Sequence, residues 1–257
     1  MERIVLPPAP ASSRATPEVR RHLSLILPAY NEADRIPATL QRIGSYLSSG
    51  ESATEVIVVD DGSIDQTALL VEHLAESRPW LRLIREPHRG KGAAVRSGVR
   101  DARATELVAF LDADLTIPIE VLDSLVGAVR GGADVAVASR YVPGAVVHRP
   151  IIRQAMTVGF RLFVRALVPT ALQDTQCGAK CYRADVARDL YARSRIDGFA
   201  FDAEVLYIAR LRGYRLVELP VALIQDRRTS IHLLRDTFRM VRDLFRIRTN
   251  AMRGRYA

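Results

Sequence analysis

Two carboxylates one residue apart, Asp112-Ala-Asp114, directly follow the apolar run Glu106-Leu-Val-Ala-Phe-Leu111. At a strand end such a pair can hold one hard divalent cation, with a diphosphate supplying further oxygens. Capping of the helix that opens near Pro118 is the plainer use of the same residues. Asp60-Asp61-Gly62-Ser63 closes a second apolar run. Asp60 could accept hydrogen bonds from a base or a ribose, and a tight turn with an N-cap from Asp61, Ser63 or Asp65 is its alternative. Arg89-Gly90-Lys91-Gly92 opens a helix with glycines flanking one of only two lysines in the chain. A helix start with a lysine suits an anionic ligand, against the simpler reading of a solvated loop.

Several chemistries are excluded. The spacing Gly-x-x-x-x-Gly-Lys-Ser/Thr is missing, so the Lys91 loop is not a P-loop. No Gly-x-Gly-x-x-Gly follows the first strand, which argues against a dinucleotide-dependent dehydrogenase. Cys177 and Cys181 are the only cysteines, too few for a disulfide framework or a four-ligand zinc site. A reducing compartment is the default expectation.

The elements that must position these clusters read as an alternation of short β-branched runs and amphipathic helices. Strands are expected at 23–28, 55–59, 81–84, 106–111 and 134–138, with helices at about 37–48, 65–77, 92–104 and 118–130. Pro37 and Pro118 suit first helical turns, and Gly131-Gly132 suits a helix stop. Strand, helix, strand at this spacing predicts an α/β fold with a mostly parallel sheet covered on both faces. Its ligand should lie beyond the carboxyl ends of the strands, where Ala29-Tyr-Asn-Glu32, Asp60–Ser63 and Asp112–Asp114 converge. Further on, a strand is expected near 178–182, helices at about 184–194 and 201–212, a strand at 216–219, and a long basic helix at about 230–250.

With 257 residues, 48% hydrophobic and 26% charged, the chain can bury one large core. Residues 1–145 hold 16 basic and 19 acidic side chains, whereas 146–257 hold 21 and 10, a net of +11. Thirty-five of the 37 basic residues are Arg. So lopsided a charge should meet an anionic partner. Arg153, Arg161 and Arg165 share a helix face with Phe160, Phe163, Val164 and Leu167 nearby; Arg235, Arg239, Arg242 and Arg246 repeat beside Leu234, Phe238, Val241 and Phe245. Both patterns suit helices lying in a lipid interface, and both are also compatible with helices packed on the core. No stretch of eighteen residues is free of charge, and 1–22 lacks the apolar core of a secretory signal. Few aromatics are set for stacking in the basic half, so no nucleic-acid partner is expected.

The ordered motifs Leu27-Pro-Ala-Tyr-Asn-Glu32, Val58-Val-Asp-Asp-Gly-Ser63, Arg89-Gly-Lys-Gly92, Phe110-Leu-Asp-Ala-Asp-Leu115 and Ala138-Ser-Arg-Tyr-Val-Pro-Gly144 resemble the family 2 glycosyltransferases of GT-A fold. Asp174-Thr-Gln-Cys-Gly-Ala-Lys180 and Phe199-Ala-Phe-Asp-Ala-Glu204 are similar to the dolichyl- or polyprenyl-phosphate hexose synthases, nearest the glucosyl branch. The resemblance covers about residues 22–232. It implies a metal-dependent, inverting transfer of a hexose from a nucleotide sugar to a polyprenyl or dolichyl phosphate. UDP-glucose is the first donor and GDP-mannose the alternative; a soluble acceptor is a further possibility.

Carried onto these positions, the resemblance puts Pro28, Ala29, Tyr30 and Glu32 around base and ribose with Asp60 nearby, and Asp61, Lys91, Asp112 and Ala113 also in the donor site. Asp112 and Asp114 would flank Mg²⁺ or Mn²⁺. Arg140 and Lys180 would reach the acceptor phosphate or the donor diphosphate, Arg153 and Arg228 the acceptor phosphate, with Arg140 also near the reacting centre. Asp202 and Glu204 occupy the region of the wider family's general base. A lipid monophosphate is already ionised near neutral pH, so Asp202 has other readings: holding sugar hydroxyls, pinning an arginine, or forming a structural salt bridge. The expected organisation is a loose leader over 1–21, a GT-A domain over 22–228 with an amphipathic segment at about 149–168, and a basic amphipathic helix over 229–257. The expected location is peripheral, on an anionic membrane surface at the cytoplasmic face.

Overall fold

The computed structural model describes residues 23–48, 54–146, 159, 163–170, 172–223 and 233–257. The expected leader, most of the 149–168 segment, and Arg153 and Arg228 lie outside the described residues. Seven strands form one sheet: β1 (Leu23–Ala29), β2 (Glu55–Asp60), β3 (Leu81–Arg85), β4 (Leu107–Leu111), β5 (Val135–Ser139), β6 (Ala179–Arg183) and β7 (Leu216–Pro220). Their order is β3-β2-β1-β4-β6-β5-β7, parallel throughout except for β6, which runs against β4 and β5. The helices are α1 (Ile36–Ser48), α2 (Thr67–Glu76), α3 (Lys91–Asp101), α4 (Val121–Arg130), α5 (Ala184–Arg193), α6 (Phe201–Leu211) and α7 (Leu233–Met252).

Successive strand side chains point to opposite faces, so each apolar strand feeds two cores. Ile26, Ile57, Val59, Val108, Phe110 and Val137 face one side, where α3, α5, α6 and α7 pack with Val95, Leu190, Leu206 and Ile247. Leu25, Leu27, Val58, Ala109, Leu111 and Ala138 face the other, under Ile36, Leu40 and Ile43 of α1 and Leu122, Leu125 and Val126 of α4. The three-layer α/β arrangement expected from the sequence is the one observed.

Two helix ends differ from the sequence reading for tertiary reasons. α3 stops at Asp101 because the Arg103 amide donates to Glu55 Oε1 (2.6 Å) and the Ala104 amide to Ser24 Oγ (3.0 Å), drawing the chain toward the sheet. α4 starts three residues after Pro118, since Pro118–Glu120 sit in tight turns whose carbonyls accept the amides of Val121–Asp123. Residues 163–167 are helical and dock Val164 and Val168 into the core, leaving Phe163 at the edge.

The topology fixes where chemistry can occur. The chain leaves β1 toward β2 and β3, then crosses back to β4 on the other side of β1. The carboxyl ends of β1, β2 and β4 therefore open on one crevice at this switch point. Because β6 is antiparallel, its amino end meets the carboxyl end of β4, with Ala179 opposite Leu111 and Lys180 opposite Phe110.

Candidate active site

At the β1–β2 end, Ala29 is buried and Tyr30 is 41% exposed, its ring stacked on His88 with centroids 4.1 Å apart. Asn31 takes a left-handed φ of 55°, accepts the Ile64 amide through its side chain (2.9 Å), and donates its own amide to Ser63 Oγ (2.9 Å). The two aspartates of the Asp60-Asp61 pair then separate in role. Asp61 is used by the chain itself: it accepts the amides of Arg89 and Gly90 (each 2.9 Å) and faces His88 Nδ1 at 2.9 Å. Asp60 Oδ2 accepts the Ser63 amide at 3.3 Å, while its buried Oδ1 has no partner among the described residues. A buried acceptor left unmatched is costly, so Asp60 Oδ1 is the atom of this pair free to take a ligand hydroxyl or N–H. Glu32 is held by Arg35 in a bidentate pair (2.6 and 2.8 Å). Burial raises its pKa above the usual value despite Arg35, and the Asp114 and Asp112 charges add to the rise.

The β4 end carries the paired carboxylates. Ala113 is buried, and its carbonyl accepts Thr39 Oγ1 at 2.6 Å. Asp114 Oδ1 accepts the Thr116 amide (2.9 Å), and Leu115 sits at φ 46°, a left-handed conformation that a branched residue adopts only where its surroundings impose it. Lys91, first residue of α3, places its ammonium 2.5 Å from Asp112 Oδ1. Burial alone would lower the lysine's pKa, but Asp112, Asp202 and Asp114 outweigh it and raise it. No group of three or more His, Cys, Asp or Glu suited to a metal occurs among the described residues. The donor set of Asp112 and Asp114 is nevertheless the hard-oxygen kind that Mg²⁺ or Mn²⁺ takes, and it fits such an ion where a diphosphate completes the shell. Gly178 lies directly against this turn, its carbonyl accepting the Asp112 amide at 3.0 Å, and a Cβ there would collide with the Asp112 carboxylate. Gly178→Ala is therefore expected to displace Asp112 and cut turnover by roughly 100-fold, with the sheet intact by circular dichroism. Wild-type turnover would show that Asp112 has more freedom than this contact allows.

Toward β5 and β6 two cations are already engaged. Arg140 is locked to Asp174 through its amide (3.0 Å), Nε (2.7 Å) and Nη2 (2.8 Å); this guanidinium holds Asp174 below the usual carboxylate range although burial opposes it. Asp174 is fixed in turn because Glu218 accepts its amide at 2.8 Å. Lys180 is 0% exposed; its ammonium donates to Asp202 Oδ1 (2.5 Å) and the Cys177 carbonyl (2.7 Å) and lies 5.0 Å from the Phe110 ring centroid. Lys180, expected at a phosphate, is here fully desolvated, and Asp202 supplies the counter-charge that such an ammonium needs. Asp202 forms a buried salt bridge with Lys180. Burial raises its pKa, and Lys180 and then Lys91 pull against that rise. Glu204, expected beside Asp202 as a catalytic group, is buried behind the site and bonded to Tyr256 and to the amides of Arg195 and Ile196. Cys177 and Cys181 are free, and burial pushes both thiols up to about 12.

The crevice thus gathers Tyr30, Glu32, Asp60, Lys91, Asp112 and Asp114, with Pro28 and Ala29 beneath. Sequence reasoning missed His88, which backs Tyr30, and Thr39, which holds the Ala113 carbonyl. Nothing local marks either, since each acts across more than fifty residues of sequence.

Comparison with known proteins fits this geometry. Residues 24–191 match the family described as Glycosyl transferase family 2. The chain is 32% identical over 253 residues to a dolichyl-phosphate beta-glucosyltransferase of Dictyostelium discoideum, covering 91% of this chain and 76% of the relative. It is 34% identical over 243 residues to one of Drosophila melanogaster, covering 88% and 74%. Among solved structures, glucosyl-3-phosphoglycerate synthase from Mycobacterium tuberculosis, in complex with Mn²⁺, UDP and phosphoglyceric acid, superposes with a TM-score of 0.66 at 18% identity, over 99% of this chain and 85% of that one. That likeness establishes a shared GT-A-like fold. The family match spans β1 to α5, every element that builds the carboxylate crevice, and the chain belongs to glycosyl transferase family 2, a glycosyltransferase by fold and by descent.

Proposed function

We propose that the protein transfers glucose from UDP-glucose to a dolichyl or other polyprenyl phosphate with inversion, using a divalent cation. The observation that carries this reading is the relationship to dolichyl-phosphate beta-glucosyltransferases at 32–34% identity over about nine-tenths of the chain. The crevice supplies the chemistry. Asp60 Oδ1 accepts from ribose or base beside Tyr30, Lys91 lies along the diphosphate, and Asp112 and Asp114 would hold Mg²⁺ or Mn²⁺. A bound cation neutralises charge on the departing nucleotide diphosphate. The acceptor's phosphate oxygen forms the new bond to C1 while the C1–O bond to the diphosphate breaks, its electron pair leaving with UDP. Attack opposite the leaving group gives a β-linked sugar phosphate. Because that phosphate is ionised near neutral pH, the reaction needs no strong general base, in keeping with Asp202 being tied to Lys180.

The acceptor is a lipid, and the outward face of α7 suits a lipid surface. Phe238, Phe245 and Met252 recur every seven residues at 73%, 52% and 70% exposure, while Leu244 and Ile247 on the opposite face are buried. Phe163 lies edge-on to Phe245 at 6.2 Å, and Arg239, Arg242 and Arg246 flank the stripe. No helix among the described residues is long and apolar enough to cross a membrane. The proposed placement is peripheral, on anionic lipid at the cytoplasmic face. Removing everything from Ser230 onward would also strip Leu244 and Ile247 from the core, so the cleaner variant is Phe238→Ser with Phe245→Ser. It should lower partitioning onto phosphatidylserine vesicles by about tenfold or more, with an unchanged melting temperature. Unaltered co-sedimentation would remove this face from the membrane.

Radiolabelled UDP-glucose and GDP-mannose, offered in parallel with a polyprenyl phosphate and Mg²⁺ or Mn²⁺, test the reaction. Label entering the organic phase from UDP-glucose alone is the expected result. Label from GDP-mannose alone would reassign the sugar, and donor hydrolysis without lipid labelling would point to a soluble acceptor.

A further inference from the structure

Glu204 is fully buried two residues after Asp202 on α6, and the transfer chemistry makes no use of it. Its Oε2 accepts the backbone amides of Arg195 (2.9 Å) and Ile196 (2.8 Å), and its Oε1 accepts the hydroxyl of Tyr256 at 2.6 Å. Tyr256 is itself buried, beyond the end of α7, and its hydroxyl also takes an N–H from the Asn250 side chain at 3.4 Å. A carboxylate so buried is tolerated only when its lone pairs are matched, so each of these donors matters.

The segment that Glu204 fixes lies across the first turn of α3. The Asp197 carbonyl accepts the amides of Gly92 (2.7 Å) and Ala93 (3.2 Å), two of the N–H groups that a helix start leaves without intrahelical partners. Arg96, one turn further along α3, pairs with the Asp197 carboxylate. The approach is close enough to require glycine: a Cβ on Gly92 would sit 2.6 Å from the Ile196 carbonyl oxygen and 2.6 Å from Phe201 Cβ. Lys91, whose ammonium meets Asp112, is the residue next to Gly92.

We infer that Tyr256 is a positioning residue for the nucleotide-diphosphate site. Through Glu204 and residues 195–197 it fixes the start of α3, and with it the Lys91 ammonium at Asp112. This rests on the reading of the Lys91–Asp112 edge as the donor diphosphate site. The C-terminal region then has an inward task separate from the outward face of α7, since the tail beyond the helix closes a chain of hydrogen bonds that ends at the donor.

The test uses the full chain and three variants. Tyr256→Phe removes one hydroxyl and keeps the ring. Glu204→Gln keeps an oxygen for the two amides but turns an N–H toward the Tyr256 hydroxyl, so it removes the same hydrogen bond from the other side. Tyr46→Phe, on the opposite face of the sheet where Tyr46 donates to Asp123 at 2.5 Å, controls for loss of a tyrosine hydroxyl. Amide exchange at Gly92 and Ala93 is read without nucleotide, and UDP and GDP affinities are read by calorimetry with Mn²⁺. In Tyr256→Phe the two amides should exchange about tenfold faster and nucleotide affinity should fall by about tenfold, the scale of one hydrogen bond to a buried charge. Glu204→Gln should move both quantities in the same direction as Tyr256→Phe, and Tyr46→Phe should move neither. Wild-type exchange in Tyr256→Phe would overturn the inference. Faster exchange with unchanged nucleotide affinity would reduce Tyr256 to a structural residue and also overturn it. If the wild type binds neither nucleotide, the donor reading is what fails, and the exchange at Gly92 and Ala93 still decides whether Tyr256 fixes α3.

Discussion

Asp114→Asn is expected to lower transfer by on the order of a thousandfold while the protein melts within a few degrees of wild type. Both halves of that expectation follow from the turn after β4. The Asp114 Oδ1 bond to the Thr116 amide holds the turn, and an asparagine oxygen can still accept it. What asparagine cannot supply is the second negative charge beside Asp112, which would help hold a divalent cation on a diphosphate. The diphosphate leaving group would then depart with less of its charge neutralised. Calorimetric binding of Mn²⁺ together with UDP should weaken in step with turnover. Near-normal turnover in Asp114→Asn would detach the carboxylate pair from the chemistry.

Lys180→Met should produce the largest loss of stability, about 3–5 kcal/mol, because it strands the buried Asp202 carboxylate without its partner. For a chain of this size that corresponds to a melting temperature lower by roughly 6–20 °C. The pH dependence gives the effect its signature. Burial already raises the Asp202 pKa and Lys180 opposes the rise, so removing Lys180 raises it further. A carboxyl whose folded pKa lies above its unfolded value favours folding in its protonated form. The deficit should therefore shrink as pH falls below the raised folded value and grow as pH rises through it. Lys180→Met combined with Asp202→Leu replaces the pair by apolar volume beside Phe110 and should recover most of the stability. A single variant as stable as wild type at neutral pH would show that water reaches the pair.

The surroundings of Asp114 and of Lys180 differ in how much of them the sequence could tell. Asp112-Ala-Asp114 behind an apolar run was readable because strand ends in a parallel sheet present such residues to ligand, whatever packs elsewhere. Lys180 looked like a similar signal, a rare lysine inside a motif, yet β6 runs antiparallel and carries it into the sheet next to Phe110. Strand direction depends on the route of the chain, and no pattern within five residues records it. Asp60 and Asp61 make the same point at closer range. They are adjacent and chemically identical, and only the folding of His88–Gly90 back onto Asp61 leaves Asp60 Oδ1 unpaired.

By itself the sequence determined the alternation of strands and helices, the edge on which ligand chemistry gathers, and the family. Those depend on local periodicity and on motifs whose spacing the backbone dictates. Tertiary structure alone decided which charged groups are available and which are already spent. Arg140 is held by Asp174, Lys180 by Asp202, and Glu204 by Tyr256 some fifty residues later. The same holds for α7, whose two apolar faces look alike in sequence. Leu244 and Ile247 fill the core, and Phe238, Phe245 and Met252 are left facing outward. Burial and pairing are properties of neighbours brought together by the fold, and they decide whether a side chain meets substrate or holds up the wall behind it.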